Sequence, residues 1–174
     1  MRLVFVDTET TGLDPRQGHR LIEVAGVELL DGRLTGREFH ARINPQRSVP
    51  PEAVAIHGVD DTMLRDQPLF AEVAPHLLRF VGIDQTVMHN LPFDAAFFAA
   101  EFGRLGVAAP TLTSAARNID TLPRFRQRHL GARCSLAALC DRYQLEPGAD
   151  EGWHGELTDA RMLARLWVAA GLQP

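Results

Sequence analysis

Residues 3–12 read LVFVDTETTG. The four apolar residues 3–6 have the composition of a buried strand, and the Thr- and Gly-rich segment after them reads as a turn. Asp7 and Glu9 stand at i and i+2 where the two meet, and the two-residue period of a strand puts both side chains on one face. Like charges at that spacing repel and raise each other's pKa. A divalent cation removes the repulsion, and a set of hard oxygen ligands suits Mg2+ or Mn2+. An isolated D-x-E is more often a turn carboxylate beside a solvated one, so its meaning depends on what else the chain supplies.

Working outward, 21–30 (LIEVAGVELL) and 35–43 have strand character, and Asp31-Gly32 between them is the strongest hairpin signal in the chain. The first three strands are therefore expected to form an antiparallel meander. Pro50 and Pro51 suit the first turn of a short helix within 48–56. Phe70, Val73, Leu77 and Phe80 recur at helical spacing and predict a helix over 68–81. A fourth strand is expected at 86–89. Phe93, Phe97 and Ala100 then stripe a helix ending near 103–106, and a fifth strand falls within 118–121. Ser135 is an N-cap for a helix over 136–143, and a closing helix over 157–170 stops at Gly171. Strands first, then strands alternating with helices, describe an α/β domain with a mixed sheet. Residues 1–174 contain no linker, repeat or low-complexity stretch and read as a single domain.

The formal net charge is −4, which argues against a protein that grips nucleic acid through a general positive field. It leaves room for an enzyme that contacts a few phosphates. All 18 basic residues are Arg. The one locally basic stretch, with Arg117, Arg124, Arg126, Arg128 and Arg133, reads as a solvated helix face. Cys134 and Cys140 lack metal-type spacing and read as reduced thiols. Without a signal peptide or an apolar run of ~20 residues, a cytoplasmic protein that does not enter the membrane is expected.

Two further carboxylates change the weight of the first pair. Asp94 lies in HNLPFD, 89–94, at the start of the helix after the fourth strand, and Asp159 lies in WHGELTDA, 153–160, in the first turns of the closing helix. Either alone is more often a helix N-terminal carboxylate favoured by the macrodipole. Four acids each placed at an element end make a site. His154 stands between Gly152 and Gly155, five residues before Asp159, and an imidazole with a pKa near ~6.5 suits a general base at neutral pH.

Three motifs in order, DTETTG at 7–12, HNxxFD at 89–94 and HGxxxDA at 154–160, resemble those of the DnaQ-like (DEDDh) 3′→5′ exonucleases, and among them the proofreading ε subunits of bacterial DNA polymerase III. AIHGV at 55–59 and SLAALCDRY at 135–143 extend the resemblance over nearly the whole chain. The resemblance implies an RNase H-like fold, a five-stranded mixed sheet whose first three strands are antiparallel, flanked by helices. It implies hydrolysis of the terminal phosphodiester with two divalent cations, Mg2+ or Mn2+, held by Asp7, Glu9, Asp94 and Asp159, with Asp7 bridging and His154 as base. Thr10, Ile56, His57 and Phe93 match positions that meet the terminal nucleotide. His89 belongs to a motif but is equally a satisfied buried histidine. The implied partners are a DNA 3′ end and a DNA polymerase catalytic subunit. Glu156 and Thr158 are polar where the closing motif is usually apolar, and Trp153 is bulky beside the base. An exoribonuclease on the same scaffold, or a non-catalytic polymerase assembly subunit, are the alternatives. Four clustered acids with no cation would be costly, which disfavours the latter.

Overall fold

The computed structural model describes residues 1–147 and 156–174. Strand β1 (Arg2–Thr10) runs four residues past the apolar stretch, because it stays paired antiparallel with β2 (Leu21–Leu30) from Arg2↔Leu30 as far as Thr10↔Leu21. Asp7 and Glu9 are therefore strand residues, and the expected turn begins only after Thr10. A single 3-10 turn, Pro15–Gln17, lies in the connection to β2. The Asp31-Gly32 hairpin leads to β3 (Arg33–Arg42), with both turn residues at positive φ as such a turn requires.

Three helices precede β4 (Gln85–Met88): α1 (Pro51–His57), the short α2 (Asp61–Leu64) and α3 (Phe70–Val81). β4 pairs parallel with β1, from Leu3↔Gln85 to Phe5↔Val87. After β4 come α4 (Leu91–Arg104), the single turn α5 (Pro110–Thr113), β5 (Ile119–Asp120), α6 (Thr121–Arg128), α7 (Leu136–Arg142) and α8 (Glu156–Ala169). The sheet order is β3-β2-β1-β4-β5, with the first three strands antiparallel and β5 parallel to β4. The order of elements matches the sequence expectation. The single turns α2 and α5 lay beyond it, since four-residue helices leave no periodic pattern to read, and α6 figures in it only as the helical character of the Arg stretch.

Helices cover both sheet faces. Val4 and Val6 of β1 join Val73, Leu77, Phe97 and Phe98 of α3 and α4, while Leu3 and Phe5 join Ala160, Leu163, Ala164 and Trp167 of α8. Phe5 and Trp167 meet edge to face at 5.8 Å. Because β2 is buried on both faces over its first nine residues, it reads as an apolar run rather than an alternation. The Arg stretch after β5 is mostly exposed, as expected, but it also closes the molecule. Arg124 donates to the Gln173 carbonyl and stacks over Trp167 at 5.5 Å, and Arg128 donates to the Ala170 carbonyl. No helix among the described residues is long and apolar enough to cross a membrane.

Gly26 in β2 is required by packing. A Cβ there would lie 2.7 Å from Cε1 of Phe80, whose ring lies 5.9 and 5.5 Å from the guanidinium groups of Arg2 and Arg37. Gly26→Ala is expected to destabilise the fold by roughly 1–3 kcal/mol, the usual cost of overpacking, read as a lower urea midpoint with unchanged slope.

Candidate active site

β4 follows β1 only to Phe5, so beyond that point the C-terminal ends of the two strands separate. Crevices of this kind, at the carboxyl ends of strands where neighbouring connections diverge, are where open α/β sheets bind ligands. Asp7 and Glu9 stand on the β1 side of this crevice, on the face shared with Leu3 and Phe5 and covered by α8. The other side is built by the turn into α4. Asn90 takes a left-handed conformation, φ 76°, which Asn tolerates, and its N–H donates to Asp120 Oδ1 at 3.0 Å. That turn brings Phe93 and Asp94 onto the first turn of α4.

Asp94 is 4% exposed, and Thr8 Oγ1 donates to its Oδ1 at 2.6 Å. Burial pushes the Asp94 carboxyl up to about 7, against the opposing pull of the Thr8 hydrogen bond, with the Asp120 charge adding to the rise. Glu9 is also raised to about 7, first by burial and then by the charges of Asp159, Glu23 and Asp94. Glu9 thus lies within electrostatic reach of Asp94 from α4 and of Asp159 from the second half-turn of α8, while Asp7 shares its face of β1. Among the described residues no three Asp, Glu, His or Cys side chains are drawn close enough to form a finished cation cage. Like charges that raise each other's pKa do not collapse onto one point unaided. The chemistry of the set, buried and half-buried carboxylate oxygens in mutual repulsion, fits a divalent cation.

Glu23 was not identified from the sequence. It stands opposite Glu9 on β2, is 1% exposed, and is bound by His40 Nε2 and by Arg42 Nε at 3.4 Å. Its signal was available, as a lone acid inside LIEVAG. Thr8, between the two predicted ligands, was likewise passed over.

Ile56 is 75% exposed at the end of α1, so it is not a core residue. His57, the last residue of α1, accepts from the Val59 N–H at Nδ1, 3.1 Å, while its Nε2 is buried without a hydrogen-bond partner among the described residues. Desolvation lowers its pKa, with the Thr10 backbone and the Glu23 charge acting the other way; with Nδ1 accepting, the neutral ring carries its proton on Nε2. Phe93 is half-buried, 5.1 Å from Phe97, and lines a cleft of about 780 Å³ together with Leu13, Pro15, Arg16, Ala96 and Ala100. Leu13, 82% exposed, is a wall the sequence reading missed. The Thr10 hydroxyl is committed to its own turn, donating to the Gly12 carbonyl at 2.6 Å. His89 is a structural residue. Its ring bonds Thr121 Oγ1 and the Cys134 carbonyl, each at 2.8 Å. Both cysteines are buried and free, and burial, with the Asp159 charge, pushes the Cys140 thiol up to about 11. His154 and Trp153 lie outside the described residues.

The model of an exonuclease family (RNase_T) matches residues 4–167. DNA polymerase III subunit epsilon of Rickettsia typhi (strain ATCC VR-144 / Wilmington) is 42% identical over 169 residues, covering 97% of this chain and 73% of that protein. The chain belongs to the exonuclease family. Among solved structures, exonuclease X in complex with 5′ overhanging duplex DNA superposes with a TM-score of 0.70 at 25% identity, covering 98% of this chain and 94% of that one. The nuclease domain of 3′hExo, a DEDDh family member bound to rAMP, shares the fold, with a TM-score of 0.75 at 14% identity over 96% of this chain and 90% of that one. The protein is a 3′→5′ exonuclease of RNase H-like fold, in a family that works with divalent metal ions.

The raised carboxylates have a consequence for this exonuclease when metal is withheld. Glu9 and Asp94 rise from 4.5 and 3.8 to about 7 on folding, so between those limits the folded state holds protons that the unfolded chain has lost. Their contribution to stability therefore falls as pH rises through that window and levels off above about 7. In EDTA, the Tm is expected to drop from pH ~5 to ~8, and Glu9→Gln to flatten that drop, as followed by circular dichroism. A Tm that rises through the window in wild type would contradict the burial of these charges.

Proposed function

We propose that this exonuclease removes nucleotides from DNA 3′ ends as nucleoside 5′-monophosphates, with Asp7, Glu9, Asp94 and Asp159 as the ligands of two divalent cations, Mg2+ or Mn2+. The observation that carries this reading is the approach of Asp94, Glu23 and Asp159 to the half-buried Glu9, whose pKa is raised to about 7 by burial and by these acidic neighbours. Bound there, the cations supply positive charge to the attacking and leaving oxygens of an in-line displacement.

The chain's own residues do the rest. Phe93 and the exposed Ile56 bracket the terminal base, the former offering a π face that tolerates any base. The Nε2–H of His57 donates to the terminal nucleotide, which gives its buried nitrogen a partner. Thr10 supports that subsite through the turn its hydroxyl builds. His154 takes the proton from the attacking water, and the preceding nucleotide leaves with its 3′ oxygen. Thr8 holds Asp94 in place.

The role is proofreading or repair in the cytoplasm, alongside a DNA polymerase catalytic subunit, the partner that the names of its relatives suggest. Asp7→Ala is expected to abolish release of mononucleotides from a 5′-labelled single-stranded oligodeoxynucleotide. His154→Ala should lose roughly 10²–10⁴-fold in kcat, the range a positioned general base contributes, while still binding Mn2+. Faster degradation of the matching oligoribonucleotide would overturn the DNA assignment. Wild-type protein indistinguishable from Asp7→Ala would overturn catalysis altogether.

A further inference from the structure

The cleft beside Phe93 has two walls: segment 11–20, which supplies Leu13, Pro15 and Arg16, and α4, which supplies Phe93, Ala96 and Ala100. At about 780 Å³ it lies in the upper part of the ~300–1,000 Å³ range of ligand pockets. The walls are joined by a charge pair that the chemistry does not use. Glu101 follows Ala100, is 2% exposed, and lies seven residues, two helical turns, beyond Asp94 on the same side of α4. Its two oxygens take Arg20 Nε at 2.6 Å and Nη2 at 2.9 Å in a bidentate fork, with Arg104 Nη1 at 3.5 Å.

Arg20 is fixed at its other end as well. Its carbonyl accepts from the Thr11 N–H at 2.9 Å, and its own N–H donates to Thr11 Oγ1 at 3.0 Å. The strut therefore runs from the residue following Thr10, at the end of β1, to the helix that carries Asp94. A buried carboxylate is expensive unless paired and hydrogen-bonded, and replacing a buried ion pair by well-packed apolar residues is often neutral or stabilising, so a buried pair is weak evidence of a role in stability.

We propose that Arg20 and Glu101 are positioning residues that set the spacing of this cleft for the nucleotides preceding the one being released, an inference that rests on the proposed hydrolysis of DNA 3′ ends. Two substrates separate this role from a merely structural one. A single-stranded oligodeoxynucleotide fills the cleft. The p-nitrophenyl ester of thymidine 5′-monophosphate carries only the terminal nucleotide and puts p-nitrophenol where the next nucleotide would be.

Glu101→Gln is expected to raise KM for the oligonucleotide roughly tenfold with kcat little changed, and to leave hydrolysis of the ester within about twofold of wild type. Arg20→Lys, which keeps the charge but loses the fork, should give a smaller rise in the same direction and decides the matter if Glu101→Gln does not fold. Equal losses on both substrates, or no change on either, would overturn the proposal. Wild-type protein inactive on both would instead sink the proposed function.

Discussion

The structure depends on a repulsion. β1 enters the centre of the sheet as a buried apolar strand and ends with Asp7 and Glu9 on one face, where Glu9 meets the charges of Asp159, Glu23 and Asp94. Nothing in hydrophobic packing favours that arrangement, since like charges brought together in a low-dielectric setting repel. The rest of the fold can be read as the frame that holds these acids near one another. α4 is anchored to the sheet at its start by the Asn90–Asp120 bond, and α8 is packed along β1 through Ala160, Leu163 and Trp167. In the proposed mechanism, a cation takes the place of the protons these carboxylates hold.

The two faces of β1 divide the labour. Even-numbered Val4, Val6 and Thr8 look toward α3 and α4, and Thr8 ends that series by holding Asp94. Odd-numbered Leu3, Phe5, Asp7 and Glu9 look toward α8. One strand thus addresses acids carried by helices on both sides of the sheet. A one-residue slip in its register would exchange the faces and dismantle both the core and the site.

Much of this was legible in the residues. The hairpin at Asp31-Gly32, the stripe of α3 and the N-cap at Ser135 each left a local signature that the structure repeats. The carboxylates stood out only as a set, because each alone is an ordinary turn or helix N-terminal acid. Contacts made across the fold were not. Glu23 sits inside an apolar strand and acquires meaning only when antiparallel register sets it opposite Glu9. Leu13 looks like any loop leucine until α4 forms the opposite wall. The extent of β1 was underestimated because polar Thr8 and Thr10 look like turn residues, whereas pairing with β2 keeps them in the ladder.

The central claim is that Glu9 and Asp94 hold protons near neutral pH that a divalent cation displaces. Calorimetric titration of Mn2+ into the protein at pH ~6.5, in two buffers of different ionisation enthalpy, measures this directly. The account predicts binding with net proton release, reduced in Asp94→Asn. Binding of Mn2+ with no proton released would contradict it.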